Sequence, residues 1–385
     1  MKVLITTQQR IPHSGGLSTH VEILIAELKA NGHEVRLIQG GMAQSPKWAK
    51  ALRLLLTLGD KNRFVSQNFK AVLHRITQLV TAEISHFKPD VIHTHDVYAS
   101  YAVLQCRNLN GTPVIQTVHG PALYEAQMGG ADKLPAYKQL IIDCETLSFQ
   151  RVQHFIAVDS GQAAILKEDY GVDPTKIDVM FNCVNVGEVR SMAKETVDLP
   201  VKQPYFLVPR RLVEKTGVRY AIEALALVKD QECQLAIAGQ GPLRKDLEDL
   251  AANLNMTSRV VFLGPVPRNR LLPLFAKAKG VIVPSVPASG VIEATSLAVT
   301  EAMAAGTVPV ASAIGGLAEL IEHNNTGLLV KPANAQDLAN AMDTLLHNAG
   351  RRDELIKNAT SKVEGDYSSL NWMNKIVKIY KKYAK

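Results

Sequence analysis

The sequence has no long hydrophobic run: no apolar stretch approaches the ~20 residues a helix needs to cross a bilayer. Its opening, MKVLITT, is too short an apolar run for a signal peptide. Cysteine is scarce, and the four present (Cys106, Cys144, Cys183, Cys233) form no C-x-x-C pair. That pattern fits core thiols in a reducing cytosol better than a metal site or disulfide framework. Several signatures are missing as well. Without G-x-x-x-x-G-K-[ST], P-loop phosphoryl transfer is excluded. Neither G-x-S-x-G nor the D-x-D of a metal-dependent sugar-nucleotide site occurs.

What remains is a 385-residue chain, 46% apolar and 21% charged, with a net charge of +7. Composition predicts a soluble globular protein, and length predicts two domains. The charge would suit an anionic partner, though its placement matters more than its sum. Much of it is local. Residues 47–75 carry Lys47, Lys50, Arg53, Lys61, Arg63, Lys70 and Arg75 against Asp60 alone, 7 − 1 = +6. Trp48, Leu52, Leu55, Leu56, Phe64, Val65 and Phe69 lie between them. Two readings compete: a basic amphipathic helix on an anionic membrane surface, or a core-packing helix with a solvated cationic face. The localised excess favours the membrane.

Strands and helices alternate through both halves. The β-branched run Lys2–Thr7, the loop 8–16 and a helix from Val21 to Leu28 place Gly15 and Gly16 before a helix N-terminus. Glycines there let amides approach an anion, although a tight turn alone would also explain them. Asp90–His95 and Pro113–Val118 are predicted strands, the second followed by His119 and Gly120. A histidine just past a parallel strand lies on the ligand side of a sheet. His93 and His95 alternate with apolar residues, which leaves open that one of them only faces the core. Residues 187–204 lack sustained periodicity and read as a linker. The alternation then restarts, giving two doubly wound α/β halves with a ligand cleft expected between them.

The most informative stretch is Gly280–Gly316. A buried strand ends at Pro284 and Ser285; a loop carries Glu293; a helix capped by Thr295 or Ser296 carries Glu301. Two carboxylates are thus expected near the edge of a parallel sheet. Eight residues of helix span roughly 12 Å, whereas glycosidase pairs stand ~5–9.5 Å apart. Glu293 and Glu301 therefore fit two grips on one elongated ligand, with a phosphate between them on the amides of Ser296 and Leu297. Gly239-Gln240-Gly241 mimics a dinucleotide fingerprint, but the third glycine is missing and the turn follows the second strand of its half, so a nicotinamide enzyme fits poorly. Arg210, Arg211 and Lys215 supply cations for a leaving phosphate without a metal.

E-A-T-S-L-A-V-T-E resembles the E-x₇-E motif of the family 4 glycosyltransferases of the GT-B fold. V-P-S, E-A-M-A-A-G-T-V-P-V-A, G-G-L-A-E-L-I, R-R-L-V-E-K, A-G-Q-G-P-L, T-G-L-L-V and the Gly15-Gly16 loop are similar to that family's pattern too. The resemblance implies two Rossmann-like domains facing across a cleft: residues 1–190 for the acceptor, 200–365 for the nucleotide sugar, and a helix over 366–385 returning to the first. It implies a retaining, metal-independent enzyme without a cofactor, transferring from a nucleotide sugar, a UDP-sugar by preference, to a glycan or lipid-linked acceptor. Glu293 would contact the donor sugar and Glu301 the ribose. Arg211 and Lys215 would hold the diphosphate, with Arg210 competing for that role and Gly239 beside it. His119 would sit by the sugar and Gly16 by the phosphates and acceptor. The expected location is the cytoplasm or the inner face of the cell membrane, with no nucleic-acid partner.

The chain departs from the family pattern at Thr295-Ser296, where Phe-Gly is usual, and at Phe181–Asn185, where P-x-G-V-D is usual. Two rivals remain: an epimerase or phosphorylase on the same scaffold, and a catalytically silent binding module.

Overall fold

The computed structural model describes residues 1–12, 16–44, 46–128, 130–196, 198, 201–288 and 292–384. Gly15 of the paired glycines and residues 289–291 of the central stretch lie outside them. The chain divides into two units, Met1–Phe181 with Met373–Lys385, and Asn182–Trp372.

The first unit runs β1 (Lys2–Thr7), α1 (Gly16–Ala30), β2 (Glu34–Gln39), α2 (Lys47–Leu56), α3 (Lys61–Phe87), β3 (Val91–Thr94), α4 (Val97–Leu104), β4 (Val114–Val118), α5 (Ala122–Met128), α6 (Pro135–Arg151), β5 (His154–Ala157), α7 (Ser160–Glu168) and β6 (Ile177–Val179). All strands are parallel, in the order β2-β1-β3-β4-β5-β6. Val3, Leu4, Ile5, Ile92 and Ile115 are fully buried because helices cover both faces, which is why these strands read as continuous apolar runs. The order turns back between β1 and β3, and a crevice at the carboxyl ends there is where such sheets take ligands.

The basic stretch is two helices, not one. Thr57 ends α2 by donating its hydroxyl to the Arg53 carbonyl at 2.9 Å, and Asp60 caps α3 by accepting the Arg63 N–H. Leu73, Ile76, Val80, Ile84 and Phe87 then bury one face of α3 at helical spacing. Asp159 caps α7 by accepting the Gln162 N–H. The short helices α4 and α5 escape periodicity analysis, since α4 is apolar nearly all round and α5 has only seven residues.

The second unit runs α8 (Val186–Ala193), β7 (Tyr205–Val208), α9 (Val218–Leu227), β8 (Gln234–Ala238), α10 (Arg244–Asn253), β9 (Val260–Gly264), α11 (Arg268–Lys277), β10 (Gly280–Val283), α12 (Leu297–Ala305), β11 (Pro309–Ser312), α13 (Gly315–Leu320), β12 (Leu328–Val330), α14 (Ala335–His347) and α15 (Ala349–Asp366). α16 (Ser369–Tyr383) starts in this unit and continues into the first. The parallel order β9-β8-β7-β10-β11-β12 reverses between β7 and β10, the Rossmann arrangement. The expected linker over 187–204 is corrected at its start: Asn185 caps α8 by accepting the Glu188 N–H at 3.0 Å, and Val189 and Ala193 bury its inner side. α8 has only two buried residues, too few to show as a periodic pattern.

Candidate active site

In the second unit the switch between β7 and β10 brings Arg210 and Ser285 together, since each follows one of the two strands by two residues. Arg210 donates to Glu293 Oε1 at 2.9 Å, and to the hydroxyls of Ser285 and Ser296 at 3.1 Å each. Both charged side chains are nearly enclosed, at 11% and 12% exposure. Glu293 Oε2 and Arg210 Nε are buried without a hydrogen-bond partner. A buried carboxylate oxygen left over from an ion pair is a vacant acceptor, and native proteins rarely leave one without a use.

Backbone contacts fix this geometry. A Cβ on Gly239 would lie 1.9 Å from the Arg210 carbonyl oxygen, so the A-G-Q-G turn is glycine-rich because it rests on the arginine loop. Leu212 N–H donates to the Gln240 carbonyl and Leu243 N–H returns to that of Leu212. Gly315, at φ +45°, packs against the Glu293 carbonyl, which accepts from Gly316 N–H. Ser296 occupies the N-cap position of α12, but its hydroxyl serves Arg210 instead of the helix amides.

Glu301, inside α12, pairs with Arg268 Nε at 2.9 Å, and Arg268 Nη1 also binds Glu188 of α8 at 2.7 Å. Burial pushes the Glu301 carboxyl above its ordinary range, and the Arg268 guanidinium only partly offsets this. Arg268 Nη2 is buried and without a partner. Each glutamate is thus held by its own arginine, and the two do not form an acid–base pair.

In the first unit the carboxyl ends of β1, β3 and β4 gather His20 of α1, His95 and His119. One ring nitrogen from each lies within 4.8 Å of the others, the one such group with metal-ligand chemistry among the described residues. Burial, and then the neighbouring imidazoles, hold His95 and His119 well below the usual histidine range. Both nitrogens of His95 and Nε2 of His119 are buried without partners. His93 is the core-facing one: Nδ1 meets the Tyr380 hydroxyl at 2.6 Å and Nε2 the Thr117 hydroxyl at 2.8 Å. Asp96 ties the site's floor, accepting from Thr7 Oγ1 and Gln8 N–H through one oxygen and from Ala99 N–H through the other.

Two family models divide the chain: Glycosyltransferase Family 4 matches residues 14–188 and Glycosyl transferases group 1 matches 190–362. An uncharacterized glycosyltransferase of Methanocaldococcus jannaschii is 28% identical, covering 99% of this chain and 98% of its own. The chain belongs to the family 4 glycosyltransferases of the GT-B fold. Sucrose-phosphate synthase from Thermosynechococcus elongatus superposes with a TM-score of 0.77 at 20% identity over 99% of this chain and 98% of that one. Anabaena HepE in complex with UDP-glucose gives 0.72 at 17%, over 99% and 100%.

Within this glycosyltransferase, Arg210, Glu293, Ser296 and Gly239 lie together, with Leu297 next to Ser296 as the first residue of α12. Arg211 is exposed beside them, and Lys215 is half-buried with its carbonyl held by Val286 N–H at 2.9 Å. Glu301 belongs to the separate cluster with Arg268. Gly16 opens α1 and is exposed. Sequence reasoning missed Ser285, Arg268, Glu188, Asp96 and His20. Only His20 had a visible signal, being a histidine on the helix that follows the paired glycines. The two departures from the family pattern meet: Asn182 Nδ2 donates to Thr295 Oγ1 at 2.8 Å.

Proposed function

We propose that this glycosyltransferase moves a sugar, with retention at the anomeric carbon, from a nucleoside-diphosphate sugar to an acceptor hydroxyl in glycan, glycolipid or polysaccharide synthesis. The observation that carries the reading is Glu293, whose Oε1 is fixed by Arg210 and whose Oε2 stands vacant at the switch point. An acceptor-only oxygen so placed takes a sugar hydroxyl. Arg211, Lys215 and the N-terminal amides of α12 then meet the diphosphate, where negative charge grows as the glycosidic bond breaks. These are side-chain cations and helix dipoles, so the departing nucleotide is stabilised without a metal. The acceptor hydroxyl attacks from the face the phosphate leaves, and passes its proton to that phosphate. UDP is the favoured nucleotide, in keeping with the UDP-glucose bound by HepE. His119 brings a neutral imidazole, able both to donate to and accept from hydroxyls.

The test is nucleoside-diphosphate release from UDP-, GDP- and ADP-sugars, with and without phosphate. Glu293→Gln should lower kcat by about 100-fold, as for loss of one preorganised contact to a transition state, with the circular dichroism spectrum unchanged. Undiminished turnover removes Glu293 from the mechanism. Release that requires inorganic phosphate assigns a phosphorylase, and nucleotide indifference assigns a silent binding module.

A further inference from the structure

α2 leaves its apolar side uncovered. At roughly 100° per residue, Trp48, Leu52, Leu55 and Leu56 fall on one side of the helix, and Lys47, Lys50 and Arg53 on the other. In an ordinary surface helix the apolar side packs inward. Here no residue of α2 is buried, and the half-buried positions are Ala49 and Arg53. Arg53 Nε bonds Asn68 Oδ1 of α3 at 2.8 Å, so the edge carrying Ala49 and Arg53 meets the protein, while Lys47, Lys50 and the apolar side are all exposed. Trp48 is 71% exposed, Leu55 72% and Leu56 69%, with Leu58 at 94% just beyond. Seven of the eleven exposed large apolar side chains among the described residues lie between 42 and 58. The other four are scattered singly and need no explanation.

The rim of this patch decides what covers it. Lys47, Lys50, Lys61 and Arg63, in α2 and at the start of α3, are exposed, and the single acid between 47 and 75, Asp60, is engaged with Arg63 and the α3 N-terminus. A second copy docking the same face would set like charge against like charge. An anionic bilayer offers the complement to both features: acyl chains for the leucines and tryptophan, anionic headgroups for the lysines. We propose that α2 docks the first unit onto an anionic membrane surface, apolar side in the headgroup–acyl boundary. A cavity of about 620 Å³, lined by Arg10, Ile11, Pro12, Gln39, Gly41 and Gln44, ends three residues before α2 begins. Docking would hold the first unit, which takes the acceptor in the proposed function, at the surface where a lipid-linked acceptor is offered. This deepens the acceptor side of the proposed function, yet the docking itself requires no catalysis, so either can fail alone.

The experiment is flotation of the full chain with vesicles of phosphatidylcholine alone or of an equal mixture with phosphatidylglycerol. The protein should float with the anionic vesicles, remain below with the neutral ones, and detach at high salt. In a Trp372→Phe background, Trp48 emission should shift to the blue on anionic vesicles only. Trp48→Ser/Leu55→Ser/Leu56→Ser should cut partitioning by about tenfold or more while the thermal midpoint holds, since all three side chains are exposed. No flotation on anionic vesicles, or undiminished flotation of the triple variant, overturns the proposal. So does a dimer that the triple substitution dissociates, which would make this face an interface between copies.

Discussion

Removing Arg210 should destabilise the second unit more than removing its partner. Arg210→Ala takes the cation from a carboxylate that is 12% exposed and whose Oε2 already lacks a partner. Stranding one member of a buried pair costs about 3–5 kcal/mol. Glu293→Ala leaves a guanidinium that keeps both serine hydroxyls as acceptors, so about 2–3 kcal/mol is expected, the range for hydrogen bonds to charged groups. The double substitution strands no charge, only the Ser285 and Ser296 hydroxyls, and should cost about 3–4 kcal/mol, well short of the summed singles, giving a coupling of roughly 2–4 kcal/mol. Two units need not unfold together, so the assay must read one of them. Trp372, 4% exposed at the end of the second unit, does so by fluorescence during urea unfolding in a Trp48→Phe background. Equal single costs, or additivity within about 0.5 kcal/mol, would refute the account.

The buried imidazoles predict acid sensitivity of the first unit. His93 is held down to about 3, and His95 and His119 well below their ordinary value, chiefly by burial. Depressed folded-state values contribute stability that is complete above about pH 6.5 and is lost as pH falls toward 3; calorimetry between pH 7 and 4 should show a falling midpoint, and a rising one contradicts it. Gly239→Ala places a methyl 1.9 Å from the Arg210 carbonyl oxygen, so the arginine loop must move. Nucleotide affinity, read by thermal shift, should fall by about tenfold, the equivalent of ~1.4 kcal/mol, and an unchanged affinity refutes the packing role. EDTA should leave transfer within about twofold if, as proposed, Arg211 and Lys215 stabilise the leaving phosphate; loss of activity restored by zinc would instead assign a metal to His20, His95 and His119.

The parallel α/β alternation was legible because both sheets are covered on two faces, which writes each strand as an unbroken apolar run. Glu293 and Glu301 were legible from their spacing. Their partners were not: Arg268 lies 33 residues before Glu301 in sequence and Arg210 lies 83 before Glu293, and no local pattern joins residues that far apart. Gly239 was legible as a special glycine but for a different reason, since what approaches it in the fold is the arginine loop. The linker reading failed at Val186–Ala193 because that helix hides only two side chains.

The departures at Phe181–Asn185 and Thr295-Ser296 gain sense only together. A usual Phe-Gly pair would offer neither hydroxyl. Here Thr295 accepts from Asn182, and Ser296 accepts from the guanidinium that orients Glu293. Three residues on, Asn185 caps α8, which presents Glu188 to Arg268 and so reaches Glu301. Residues 182–188 therefore support the strand–helix junction at 293–301 at both ends. A substitution at Asn182 or Asn185 should therefore act on the two carboxylates without touching either, and replacing Thr295 takes away the acceptor that Asn182 Nδ2 uses.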